Sequence, residues 1–118
     1  MRILLADGRS KVRFALRVLL EQRSGLTVVG EIEDANNLLE GIEESSPDIV
    51  LLDWELPGLE GSEMVPIVRG VFPDLKIIVL SGMPEARFSS QNVGVDAFVN
   101  KTEPPERLLA AIGWNGKE

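Results

Sequence analysis

The sequence contains neither cysteine nor histidine. Without cysteine it can form no disulfide bond and offers no thiol nucleophile. Without histidine it lacks imidazole bases, a phosphohistidine of its own and the commonest zinc ligand. No signal-like segment follows Met1, and no apolar run approaches the roughly 18 residues that a membrane helix needs. We therefore expect a cytoplasmic protein whose chemistry relies on carboxylates, hydroxyls and lysine.

Basic residues are also in the minority, since 12 Lys and Arg stand against 19 Asp and Glu and give a net charge of −7. This charge repels phosphate backbones and anionic lipid surfaces, so we expect no nucleic acid or membrane binding by this chain alone. The 118 residues are 44% hydrophobic and 26% charged. This length and composition predict one globular domain over residues 1–118.

Short apolar runs bounded by charged, Gly or Pro residues predict five β-strands, at 3–6, 27–32, 49–52, 77–80 and 97–99. Three of these runs, ILLA, IVLL and IIVL, are continuous, as expected for a parallel sheet covered on both faces. Segments of helical period predict helices near 10–23, 35–45, 62–71, 85–92 and 105–113, with Ser10 and Asp34 as N-caps. The alternation predicts an α/β fold with a doubly wound sheet.

The fourth predicted helix is weak. It has only Ala86, Phe88 and Val93 to bury and carries two serines in its middle. We expect it to be short or irregular.

Polar residues close four of the predicted strands: Asp7, Asp53, Ser81 and Lys101. Ligands of doubly wound sheets gather at the carboxyl ends of the strands, so these side chains are expected to converge. Together they favour phosphoryl transfer to a carboxylate, with Asp53 as nucleophile and a divalent cation offsetting the charge. Lys101 and Ser81 would hold the transferred oxygens, and Gly82 would leave room for the phosphoryl group.

The strings IVLLDWELPGLEG, IIVLSG and GVDAFVNK carry these residues and resemble the receiver domain of two-component response regulators over nearly the whole chain. The resemblance implies a flavodoxin-like sheet of order 2-1-3-4-5 and a phosphoprotein that takes part in a phosphorelay. It also implies Mg²⁺ bound by Asp7, Asp53 and the backbone carbonyl of Glu55. Ser81 and Phe98 would form the switch that follows phosphorylation.

The partners implied by the resemblance are a histidine kinase or phosphotransfer protein as donor and a downstream protein as target. A homodimer and an output domain after residue 118 both stay open. The resemblance implies a signalling domain rather than an enzyme, although such a domain would catalyse its own phosphotransfer and dephosphorylation.

Gly8 departs from the family pattern, in which two adjacent acids usually end the first strand and the second commonly touches the metal. Because Mg²⁺ keeps waters readily, a water could replace this ligand at a loss of affinity, and we expect weakened Mg²⁺ binding. The Glu55 side chain could supply a substitute carboxylate, although a solvated loop acid is the favoured interpretation. Alternatively, the Arg9 guanidinium could reach Asp53 in place of the cation.

Two functions stay open on these residues. Intact Asp53, Ser81 and Lys101 favour a phospho-accepting switch, whereas Gly8 and a shortened fourth helix favour a phosphorylation-independent protein-binding module. A phosphatase of the haloacid-dehalogenase kind is disfavoured because DWE supplies no second aspartate. A flavin carrier is disfavoured because DGRSKV lacks a hydroxyl-rich phosphate cradle.

Overall fold

The computed structural model describes residues 1–116 and contains a five-stranded parallel sheet. The strands are β1 (Arg2–Ala6), β2 (Thr27–Ile32), β3 (Ile49–Asp53), β4 (Lys76–Ser81) and β5 (Ala97–Asn100). The helices are α1 (Ser10–Glu21), α2 (Leu38–Ser45), α3 (Gly61–Val71), α4 (Ala86–Gln91) and α5 (Pro105–Ile112), and a 3₁₀ turn (Ala35–Asn37) precedes α2. The strand order β2-β1-β3-β4-β5 confirms the expected fold class. The last two residues of the expected domain lie outside the described residues.

The sheet separates two hydrophobic cores. Side chains of a strand alternate between its faces, so Ile3 and Leu5 of β1 point to one side and Leu4 and Ala6 to the other. The first face packs against α1 and α5, and the second against α2 and α3. This double covering explains why the central strands read as continuous apolar runs.

The start of α1 differs from its prediction. Ser10 is the first helical residue, and Arg9 holds the N-cap position without a side-chain capping bond. The backbone N–H of Arg9 donates to Asp7 Oδ1 at 2.9 Å, and this turn lets the helix begin one residue before the start that a Ser10 cap predicts. The expected Asp34 cap is present, but it caps the 3₁₀ turn by accepting from the N–H of Asn36 at 2.8 Å.

Helix α4 is short, as expected, with only six residues. Ala86 and Ser90 are its buried residues. The expectation that Phe88 is buried is wrong, because Phe88 is 70% exposed. One turn and a half of helix can direct only a few side chains at the sheet, and Ala86 and Ser90 occupy those positions.

No helix in the described part of the chain combines the length and the apolar character that crossing a bilayer requires.

Candidate functional site

The four polar residues at the strand ends lie at one edge of the sheet. Asp7, Asp53 and Ser81 are 2%, 4% and 0% exposed. The backbone ladder continues past the strands and fixes these positions. The N–H of Asp7 donates to the carbonyl of Ile32 at 3.0 Å, and the N–H of Lys101 donates to the carbonyl of Ser81 at 2.9 Å.

Lys101 joins the two aspartates. Its Nζ lies 2.9 Å from Asp7 Oδ2 and 3.1 Å from Asp53 Oδ1. Two carboxylates this deeply buried would repel each other strongly without a cation between them. The ammonium group therefore offsets part of the negative charge and holds the ends of β1 and β3 together.

Backbone donors orient the same carboxylates. The N–H of Arg9 binds Asp7 Oδ1, and the N–H of Glu55 donates to Asp53 Oδ1 at 3.0 Å. Both are local bonds from the residue two positions later, the geometry of an Asx turn. The carboxylate of Asp53 is thus fixed by its own loop and by Lys101 before any ligand binds.

The side chain of Glu55 hydrogen bonds to Ser81. The Ser81 hydroxyl donates to Glu55 Oε2 at 2.8 Å and accepts from the N–H of Met83 at 3.0 Å. Glu55 is exposed, in agreement with the favoured interpretation of a loop acid in contact with solvent, and its carboxylate also accepts a hydrogen bond from Ser81.

The loop at Gly8 packs closely against the segment after β3. A Cβ atom at Gly8 would lie 2.8 Å from Pro57 Cδ and 2.9 Å from Pro57 Cγ.

The hypothesis that Arg9 reaches Asp53 is wrong. The Arg9 Nε lies 3.6 Å from Asp7 Oδ1, and the side chain is 62% exposed.

An open cleft of about 1000 Å³ lies over the strand ends. Asp53, Glu55 and Lys101 line one part of it, and apolar side chains of α1 and α5 line the rest. A Cβ atom at Gly82 would meet nothing within 4 Å, so the space beside Ser81 is free. The Asp53 carboxylate therefore faces a cavity that an incoming group can enter.

Within residues 1–116, no three acidic side chains come together in a way that could hold a metal ion. The predicted ligand set is different, since it consists of the two carboxylates of Asp7 and Asp53 and one backbone carbonyl. Oxygen donors of this kind suit a hard cation that keeps part of its water shell.

Phe98 lies at half-buried depth on β5 and packs against the second core. The guanidinium of Arg87 lies 4.8 Å from the centroid of its ring, and Arg87 Nη2 lies 3.7 Å from Glu103 Oε1. A cation over an aromatic face is attracted by about 0.5–1 kcal/mol at exposed sites. Arg87 thus covers the aromatic side chain that was expected to switch.

Sequence reasoning missed four partners at this edge: Pro57 against Gly8, Glu55 and Met83 on Ser81, and Arg87 over Phe98. All four belong to loops or to the short α4, where no periodicity indicates the direction of a side chain. The proline of the LPG string was the only available signal, because its ring restricts the loop after Glu55.

Comparison with known proteins gives a consistent result. Residues 3–113 match the family model described as the response regulator receiver domain. BvgA of Bordetella pertussis, whose name describes a transcription regulator of virulence factors, is 34% identical over 112 residues, which cover 93% of this chain and 53% of BvgA.

Two solved structures have the same fold. A two-component response regulator of the LuxR family from Aurantimonas sp. SI85-9A1 has a TM-score of 0.88 at 32% identity, covering 95% of this chain and 81% of that chain. The isolated receiver domain of RcsB from Salmonella enterica serovar Typhimurium, solved in the presence of the phosphomimetic BeF3-, has a TM-score of 0.86 at 28% identity. That match covers 100% of this chain and 91% of the other. The chain spans about half the length of the curated relatives that it matches.

Proposed function

Because the chain belongs to the response regulator receiver domain family, we propose that it is a phospho-accepting signalling switch whose acceptor is Asp53. The observation that carries this proposal is the contact of Lys101 with Asp53 at 3.1 Å beside an open cleft. A nearly buried carboxylate that faces both an ammonium group and free space is placed to accept a group bearing negative oxygens.

The proposed reaction is a single displacement at phosphorus. An Asp53 oxygen attacks, the new O–P bond forms, and the bond from phosphorus to the donor breaks. The leaving group keeps the electron pair of the broken bond, as imidazole from a phosphohistidine or as acetate from acetyl phosphate. Lys101 would move from the carboxylate to the transferred oxygens, and the Ser81 hydroxyl would donate to one of them. Hydrolysis of the acyl phosphate would return the domain to its resting state.

Mg²⁺ is typical of the family at this position. The residues present fit it in part. Asp7 and Asp53 already hold one cationic group between them, and the Glu55 carbonyl belongs to the same loop. When bound, Mg²⁺ would neutralise charge on the transferred group. With Gly8 in place of a third carboxylate, more of its positions would be filled by water, and we expect weakened affinity.

The donor is proposed to be a histidine kinase or a phosphotransfer protein, and the output a change in protein contacts. BvgA and YhcZ are named as transcription regulators and are about twice as long as this chain, and we propose no DNA contact for this chain itself. The negative charge of this chain supports an output through protein surfaces.

Incubation with acetyl phosphate and Mg²⁺, followed by intact-mass analysis, tests the acceptor. We expect one phosphate-mass adduct in the unaltered protein and none in Asp53→Asn, which keeps the shape of the side chain and removes its nucleophile. Glu60→Gln, which removes a charge from the same loop, serves as control and should keep the adduct. An adduct that persists in Asp53→Asn contradicts the proposal.

A phosphorylation-independent binding module is the second candidate. The close packing of Gly8 on Pro57 favours it, because a second acid at position 8 would have to displace the Pro57 ring to complete the metal site. If the unaltered protein gains no adduct at saturating Mg²⁺, this second function takes precedence.

A further inference from the structure

The hydroxyl of Ser81 is already engaged in the unmodified protein. Ser81 is completely buried, donates to Glu55 Oε2 at 2.8 Å and accepts from the N–H of Met83 at 3.0 Å. A serine hydroxyl has one proton and can therefore donate to only one acceptor at a time. In the unmodified protein, the proton that Ser81 would donate to a phosphoryl oxygen on Asp53 is already donated to Glu55.

We infer that Glu55 is a positioning residue whose carboxylate competes with the phosphoryl group on Asp53 for the proton of Ser81. The inference rests on the proposed function, and it means that Glu55 controls how readily Ser81 responds to phosphorylation of Asp53. While Glu55 holds the hydroxyl, Ser81 stays in its resting orientation. When the phosphoryl group arrives, the bond from Ser81 to Glu55 must break before the switch can proceed.

The surroundings of Glu55 suit this competition. Within residues 1–116, no Lys or Arg nitrogen lies within ion-pair distance of its carboxylate, so the charge is not neutralised by a partner. A charged acceptor forms a stronger hydrogen bond than a neutral one. Because Glu55 is exposed, its carboxylate can also turn out to water once Ser81 is released, without a desolvation penalty.

The same hydroxyl connects the site to α4. The N–H of Met83 binds Ser81 Oγ, and the carbonyl of Met83 accepts from the N–H of Ala86 at 3.1 Å, at the first residue of the helix. Movement of Ser81 toward Asp53 therefore acts on the loop that leads into α4. Glu55 would set how readily that movement occurs.

A double-mutant cycle tests the competition. Glu55→Ala is made both in the natural background and in Ser81→Ala, and the concentration of beryllofluoride that half-saturates each protein is measured by thermal shift at fixed Mg²⁺. We expect Glu55→Ala to lower this concentration about fivefold when Ser81 is present, the size of effect that one hydrogen bond produces. In the Ser81→Ala background the change should be much smaller. Glu60→Ala removes a charge from the same loop and should have no effect in either background.

Equal fold-changes in both backgrounds overturn the inference, because they show that Glu55 acts through its charge alone. A second measurement needs no ligand. In amide NMR spectra of the unmodified protein, Glu55→Gln should shift the Met83 resonance more than Glu60→Gln does, and equal shifts also overturn the inference.

The two claims fail in distinguishable ways. If the unaltered protein binds no beryllofluoride and gains no phosphate adduct while the Met83 resonance still responds to Glu55→Gln, the proposed function has failed, and the competition with it. If the unaltered protein binds beryllofluoride but the cycle shows no coupling, only the inference about Glu55 has failed.

Discussion

At the scale of single residues, the glycine at position 8 has a steric explanation as well as a chemical consequence. The Pro57 ring occupies the space that a side chain at position 8 would take, with Cδ at 2.8 Å from the added Cβ. A contact below 3.0 Å requires a shift of the ring, and a proline ring has little freedom to give way. The position that lacks the second carboxylate of the family pattern is therefore the one where the first loop packs closely against the loop after β3.

Gly8→Asp and its matched control Gly8→Ala separate the two effects. We expect Gly8→Ala to lower stability by about 1–3 kcal/mol through overpacking against Pro57. Gly8→Asp should be less stable still without Mg²⁺, because a third carboxylate joins Asp7 and Asp53, and it should recover more than Gly8→Ala when Mg²⁺ is added. Thermal melts of both variants with and without Mg²⁺ measure this. Identical Mg²⁺ responses would place position 8 outside any metal site.

At the scale of secondary structure elements, α4 is the shortest α-helix within residues 1–116, and the side chains that it buries are small. It has six residues and buries only Ala86 and Ser90, while its Phe88 and Met83 of the preceding loop are 70% and 47% exposed. Helices this short gain little from their own hydrogen bonds and depend on packing. The stacking of Arg87 on Phe98 is one of the few contacts that hold α4 against β5.

Hydrogen exchange should therefore distinguish α4 from α2. We expect residues 84–93 to exchange faster than residues 35–45 in the unmodified protein, because α4 buries only Ala86 and Ser90, whereas α2 buries the larger apolar side chains of Leu38 and Ile42. Phosphorylation, or beryllofluoride in its place, should slow exchange at 84–93 more than anywhere outside the site, since Ser81 then fixes the preceding loop. Uniform protection of both helices, unchanged by the ligand, would remove α4 from the switching surface.

At the scale of the whole molecule, Asp96 ties together three parts of the fold. Its Oδ2 accepts from the N–H of Ile77 at 2.7 Å and from Arg69 Nη2 at 2.8 Å, which joins the start of β4 and the end of α3 to the loop before β5. Burial acts to raise the pKa of Asp96, but the bonds from Ile77 and Arg69 outweigh it and hold the pKa below its ordinary value of 3.8.

This lowered pKa predicts acid sensitivity. The charged form of Asp96 contributes stability that is fully present above the unfolded-state value of 3.8 and is lost as the pH falls through the lower folded-state pKa. Asp96→Asn should reduce stability by about 0.5–1 kcal/mol at neutral pH, because the ion pair is partly exposed. Its melting temperature should also fall less steeply below pH 3.8 than that of the unaltered protein. Asp74→Asn, in an exposed turn, is the control, and a parallel pH profile for the unaltered protein and Asp96→Asn would contradict the assignment.

The fold was predictable because strands such as IVLL are buried on both faces and leave an uninterrupted apolar signal. The meeting of Asp53 and Lys101 followed from the parallel topology, which brings the carboxyl ends of strands to one edge. The partner of Ser81 was not predictable, because it depends on the path of the loop after Asp53. For the same reason, neither the Pro57 ring beside Gly8 nor the exposure of Phe88 could be inferred from periodicity.

The two tryptophans give the protein two separate optical probes, since it contains no tyrosine. Trp54 follows Asp53 in the sequence, and its ring lies against the backbone of Gly61, with ring carbons 2.4 Å from where a Cβ would be. Trp114 lies after α5 and donates from Nε1 to the carbonyl of Ser24 at 3.0 Å, with Arg23 over its ring. Because α5 runs antiparallel to the strands, the Trp114 indole reports from the sheet edge opposite to the site. Fluorescence of a Trp114→Phe variant therefore follows events at Asp53, and that of a Trp54→Phe variant follows global unfolding.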